Sequence, residues 1–230
     1  MTATPAEVGA ALDAVRARIA AAAVRAGRDP STVALLAVSK THGADAVRAA
    51  YARGQRDFGE NYVQELVAKA AALADLPDLR WHFIGHLQTN KCRDVAGLVA
   101  PVHSVDSERL ARELGRRAAA AGRTVGILVQ VNIAGEAQKS GCAPGDLPAL
   151  VAAARATPGV ALLGLMTVPP ADDDPAAARR WFDALRALRD AHGGAKALPE
   201  LSMGMTHDME EAIAAGATVV RVGTAIFGAR

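Results

Sequence analysis

The feature that most constrains this chain is a repeated alternation of short apolar, β-branched runs with longer stretches rich in alanine and arginine. The runs fall at residues 33–38, 56–58, 81–84, 101–105, 125–132, 160–166, 200–203 and 218–222. The first is Val-Ala-Leu-Leu-Ala-Val, apolar on both faces, as a parallel strand covered by helices requires. Of the helical stretches, 175–192 is the clearest. Ala178, Trp181, Phe182, Leu185 and Leu188 recur at spacings of three and four, arginines and aspartates take the opposite face, and Gly193-Gly194 ends it. A further helix precedes the first strand. Thr4-Pro5-Ala6-Glu7 supplies a capping box with proline in the first turn, and Gly27 supplies a left-handed stop. Eight strands result, each followed by a helix except the last, since residues 223–230 are too few for a covering helix. The N-terminal helix is expected to close the ring in its place. This pattern predicts an α/β fold, a single (β/α)8 TIM-type barrel with an extra N-terminal helix, as one domain over residues 1–230. A doubly wound open sheet is the competing architecture. It would need a glycine-rich phosphate turn after the first strand, and Ser39-Lys40-Thr41-His42 is not one.

Composition narrows the function. The net charge is +2, from 26 basic and 24 acidic residues, with no concentrated basic block to grip a duplex. Aromatic residues are only 3%, too few for a stacking platform on single strands. No apolar stretch approaches the ~20 residues of a membrane span, and residues 1–11 show no basic head followed by an apolar core. Cys92 and Cys142 are far apart and outside any CxxC, which predicts free thiols in a reducing, cytoplasmic setting. His82 and His86 share a strand face without a carboxylate or thiol nearby in sequence, so no metal site is expected. The run Asp172-Asp173-Asp174 lacks the glycine and later glutamate of a calcium loop and is expected to form a solvated turn.

In a barrel, chemistry gathers where strands end and loops begin. A charged residue closes the first apolar strand, Lys40, and another lies in the eighth, Arg221. Lys40 either reaches solvent or serves as a Schiff-base amine, activated by burial or a neighbouring cation. Arg221 comes from the strand expected beside the first; its plain alternative is an ion pair with Glu60. Gly223-Thr224, with Ser202 and Gly204 after strand seven, offers hydroxyl and backbone donors for an anion. Small residues in tight turns would look the same. Taken together, a lysine, an arginine and a phosphate cradle around one mouth point to pyridoxal 5′-phosphate (PLP). Its aldehyde would go to Lys40, its phosphate to Ser202, Gly223 and Thr224, and its ring nitrogen to Arg221. An aldolase that forms a Schiff base with a sugar carbonyl is the alternative from the lysine alone.

Longer stretches resemble a known family. They are Leu36-Ala-Val-Ser-Lys-Thr41, Phe58-Gly-Glu-Asn-Tyr-Val-Gln-Glu65, Trp81-His-Phe-Ile-Gly-His-Leu-Gln88, Leu201-Ser-Met-Gly-Met205 and Val220-Arg-Val-Gly-Thr-Ala-Ile-Phe-Gly228. With shorter matches at Lys139-Ser-Gly141, Gly164-Leu-Met166 and Asp208-Met209, the chain is similar to the pyridoxal phosphate homeostasis proteins from about residue 36 onward. The resemblance implies a fold-type III barrel related to the N-terminal domain of alanine racemase. It implies an internal aldimine on Lys40, with Asn61, Ser202, Met203, Arg221, Gly223 and Thr224 around the cofactor. It also implies a monomer serving vitamin B6 and amino-acid homeostasis without established turnover, with PLP-dependent apoenzymes as candidate recipients. A small PLP-dependent racemase is the alternative. Against it stand Arg221, which should leave the pyridine nitrogen unprotonated, and the expectation that no second domain follows Arg230. Two departures from the family pattern flank the site: His42-Gly43 where lysine and proline are usual, and Thr206-His207 where serine and a polar or acidic residue are usual.

Overall fold

A computed structural model of the chain describes residues 4–170 and 174–228. Eight parallel strands close in sequence order into a barrel, with β8 returning to pair with β1. They are β1 Ala34–Val38, β2 Asp57–Glu60, β3 Arg80–Phe83, β4 Val99–Val105, β5 Val125–Gln130, β6 Val160–Met166, β7 Glu200–Ser202 and β8 Val219–Val222. The helices are α1 Pro5–Arg25, α2 Ala44–Ala52, α3 Val63–Ala72, α4 Cys92–Ala96, α5 Glu108–Ala120, α6 Leu147–Ala156, α7 Pro175–Ala191, α8 Gly194–Ala197, α9 Met209–Ala215 and α10 Thr224–Phe227. The fold is therefore the expected single barrel, and the open sheet is excluded. Strand ends move by at most two residues from the sequence pattern. β5 stops at Gln130, for instance, and Val131 keeps only one bridge, to Cys142.

The N-terminal helix begins as its capping box predicts. Thr4 Oγ1 accepts from the Glu7 amide at 3.3 Å, and Glu7 Oε2 accepts from the Thr4 amide at 2.7 Å. Its buried stripe of Val8, Leu12, Val15 and Ile19 packs the helix against α2, α9 and α10. It thereby fills the place that the four-residue α10 is too short to cover. α7 starts under an Asp174 cap and ends before Gly193, whose φ of 105° stops the helix. Asp172 and Asp173, like Met1 to Ala3, lie outside the described residues.

Between strands and helices the core is apolar, with Phe58, Phe83, Phe182 and Leu66 fully buried. Each such side chain contributes roughly 1.5–3 kcal/mol by leaving water. The lumen differs. His103, Ser202 and Arg221 are buried there, bonded to one another across the interior, as polar groups away from water must be. Both cysteines are free and buried. No helix among the described residues is long and apolar enough to cross a membrane, and no cluster of three metal-type ligands occurs among them.

Candidate functional site

Lys40 follows β1 at the C-terminal mouth, held between two anchored peptides. Thr41 has φ 68°, the one positive φ at a non-glycine position among the described residues. Its amide donates to Glu65 Oε2 at 2.7 Å. On the other side, Lys69 Nζ donates to Ser39 O at 2.8 Å, and Ser39 Oγ donates to Glu60 Oε1 at 2.6 Å. Lys69 closes the network by binding Glu60 at 2.7 Å and Glu65 at 3.2 Å. Burial raises the Glu60 pKa, although Lys69 and Ser39 oppose it. The left-handed turn that presents Lys40 is thus fastened from below by a cation and two carboxylates, as a strained backbone requires.

A cavity of about 360 Å³ opens at this mouth, a size suited to a small ligand. Five of the seven predicted residues line it: Lys40, Asn61, Arg221, Gly223 and Thr224. The pairing of β1 with β8, which sets Leu36 beside Arg221, brings Lys40 and Arg221 to one wall. Ser202 and Met203 are fully buried and lie outside the cavity lining. Ser202 sits one layer deeper, its hydroxyl accepting from Arg221 Nη1 at 2.8 Å, while Met203 belongs to the apolar core.

Arg221 is 4% exposed and also donates to Thr167 O at 2.9 Å through Nη2. The expected alternative partner, Glu60, is taken by Lys69 instead. Burial lowers the Arg221 pKa to about 10, so the guanidinium remains charged at neutral pH. Asn61 is placed by a backbone contact. A side chain at Gly85 would lie 2.1 Å from Asn61 O, so only glycine lets the two segments meet. Asn61 Oδ1 is then buried at the cavity without a hydrogen-bond partner. Such an orphaned acceptor is uncommon and marks a place for a ligand donor or a water.

Sequence reasoning passed over Thr41 and Met205 on the cavity wall, and treated His42, Thr206 and His207 only as departures from a family pattern. All five are on the loops that follow β1 and β7. Their proximity in sequence to Lys40 and Gly204 was the available signal, but loop direction is not legible from residue type.

Residues 10–230 match the family model described as alanine racemase, N-terminal domain. A pyridoxal phosphate homeostasis protein of Pseudomonas aeruginosa is 54% identical over 94% of this chain and 93% of its own length. The Escherichia coli K12 protein of the same name is 45% identical over 94% of each. The chain belongs to the pyridoxal phosphate homeostasis protein family. The structure of PipY from Synechococcus elongatus PCC7942 with PLP bound superposes with a TM-score of 0.85 at 40% identity, over 96% of this chain and 100% of that one. The alanine racemase of Streptomyces coelicolor A3(2) shares the fold, with a TM-score of 0.71 at 24% identity over 95% of this chain and 59% of its own. Of the four residues named above as departures, His42, Thr206 and His207 line the cavity and Gly43 does not.

Proposed function

We propose that this protein binds pyridoxal 5′-phosphate through Lys40 and acts in the cytoplasm as a monomeric holder of the cofactor, delivering it to apoenzymes. The observation that carries the reading is one cavity that gathers a strand-end lysine, a buried arginine and an unsatisfied asparagine oxygen. When bound, the cofactor supplies an aldehyde that condenses with a primary amine and a ring that withdraws electrons. Lys40 provides the amine. Arg221, a donor-only cation, faces the ring nitrogen and keeps it unprotonated. Gly223 and Thr224 hold the phosphate, with Thr206 supplying a hydroxyl at the cavity wall. Ser202 acts one step behind them by holding Arg221. The names of the curated relatives and the PLP bound in PipY support the reading.

The test is a visible spectrum of the protein reconstituted with PLP, followed by borohydride reduction and peptide mapping. The reduced adduct is expected on Lys40, and Lys40→Ala should abolish it while the far-UV spectrum stays unchanged. An adduct found chiefly on another lysine of the wild-type protein would overturn the assignment.

Racemase chemistry is the competing reading, because the barrel is shared with alanine racemases. Arg221 weakens the ring as an electron sink, and among the described residues no tyrosine lines the cavity to serve as a second acid. Tyr51 donates to Asp78 on the outside of the barrel. A missing general acid–base lowers a rate by ~10²–10⁴. Amino acids incubated in D₂O with the reconstituted protein should therefore show little α-proton exchange by NMR. Exchange near 1 s⁻¹ or above that disappears in Lys40→Ala would favour the racemase.

A further inference from the structure

A line of hydrogen bonds crosses the barrel lumen and ends on Arg221. At the N-terminal rim, Arg80 grips Asp57 through Nε and Nη2, both at 2.7 Å. Asp57 Oδ1 meets His82 Nε2 at 3.1 Å, and His82 Nδ1 meets His103 Nε2 at 3.0 Å. His103 Nδ1 reaches Ser202 Oγ at 2.9 Å, and Ser202 Oγ accepts from Arg221 Nη1 at 2.8 Å. The residues come from β2, β3, β4, β7 and β8 in turn. Because β4 and β7 are not neighbours, the bond between His103 and Ser202 spans the interior.

With both imidazoles neutral, the acceptor-only Asp57 and the donor-only Arg221 set the direction of every bond between them. Arg221 has only donors and an ionised Asp57 only acceptors. Ser202 Oγ therefore accepts from Arg221 and sends its own proton to His103 Nδ1. His103 must then carry its proton on Nε2 and donate to His82 Nδ1. His82 likewise carries its proton on Nε2 and donates to Asp57. Burial, the His82 ring and the Arg221 charge all push the His103 pKa well below its usual value, in keeping with a neutral ring.

We propose that Asp57, His82 and His103 are positioning residues for Arg221. They orient the Ser202 hydroxyl so that its lone pair faces the guanidinium, and thereby fix how Arg221 presents its other N–H groups to the cavity. The inference rests on the reading that Arg221 serves the PLP site, but the chain itself is present without any ligand, so it can be tested apart from that reading.

Nitrogen-15 NMR of the histidine side chains, in the ligand-free protein at neutral pH, tests the bond directions. The expected result is two neutral rings protonated on Nε2, with coupling between His103 Nε2 and His82 Nδ1 across the hydrogen bond. A ring protonated on Nδ1, or an imidazolium at either position, would overturn the proposed direction. Positioning is tested with Asp57→Asn, at the rim far from the cavity, and with His103→Phe. Each should move the Arg221 side-chain resonance in the ligand-free protein and shift the absorbance maximum of bound PLP. Loss of one oriented hydrogen bond should speed PLP release by about three- to tenfold. If His103→Phe does not fold, Asp57→Asn decides alone. An Arg221 resonance unchanged in the folded variants would refute positioning. Should the wild-type protein fail to bind PLP, the proposed function falls, while the ligand-free measurements still decide the fate of the chain.

Discussion

Glu60 and Lys69 form a buried ion pair beneath the turn that carries Lys40, and the energetics of such pairs are asymmetric. Lys69 Nζ satisfies Glu60, Glu65 and a backbone carbonyl at once, yet Glu60 Oε2 is buried with no partner. Removing one member of a buried pair typically costs about 3–5 kcal/mol, because the remaining charge stays desolvated. Lys69→Met should therefore destabilise the protein by roughly that amount in urea unfolding near pH 8. The pH dependence follows from the direction of the Glu60 shift. Its folded pKa is already raised, and loss of the lysine raises it further. A raised carboxyl pKa gives stability that is complete below the unfolded value and declines as pH rises through the folded one. The variant's deficit should accordingly shrink as pH falls toward about 5. An equal deficit at both pH values would show that Glu60 is not the group left exposed to the loss. The same network explains why Thr41 adopts its positive φ. A threonine gives no sequence signal for that conformation, and the carboxylates that fasten it come from β2 and α3.

At the scale of the element, the loop after β3 is matched to the loop after β2 by one missing methyl group. A Cβ at Gly85 would meet Asn61 O at 2.1 Å and Asn61 C at 2.7 Å, both backbone atoms that cannot rotate away. Gly85→Ala should shift the Asn61 amide resonance, weaken PLP retention and cost about 1–3 kcal/mol of stability, as overpacking does. Gly97→Ala, where a Cβ would have nothing within 4 Å, is the control and should change none of these. A Gly85→Ala protein with unshifted Asn61 resonances would remove the contact from the account. The elements themselves were largely legible in the sequence. Apolar runs of strand length, a capping box at Thr4 and the glycines at 193 and 194 each state a local rule that the barrel obeys. The inward or outward facing of particular strand-end residues was not legible. β7 is three residues long, too short for a period of two to declare itself, so the bond that the Ser202 hydroxyl accepts from Arg221 has no sequence signal. His103 was hidden for another reason. It sits between Val102 and Ser104 in an apolar strand, and only closure of the barrel brings it to residues some hundred positions away.

A closed ring of strands makes the molecule hard to open in part, since parting any neighbouring pair creates two unpaired edges. Two buried thiols report on this from different places. Cys92 begins α4 against the outside of the barrel, whereas Cys142 exchanges backbone hydrogen bonds with the end of β5. Burial pushes both thiols up to about 11. The thiolate is the reactive form, so iodoacetamide near pH 8 should label neither cysteine at an appreciable rate in the folded protein. In a urea series, both should become reactive at one midpoint, coincident with the fluorescence change of Trp81 and Trp181, if the barrel unfolds as a unit. The sign of the shift adds a second expectation. A thiol with a folded pKa above its unfolded ~8.5 gives stability that is complete below the unfolded value and lost as pH rises toward the folded one. Stability should therefore decline from about pH 8.5 upward, and Cys92→Ala with Cys142→Ala should flatten that decline. Labelling of one cysteine at distinctly lower urea than the other would mean that part of the ring opens first. The labelled residue would then locate the weak seam, at α4 or beside β5.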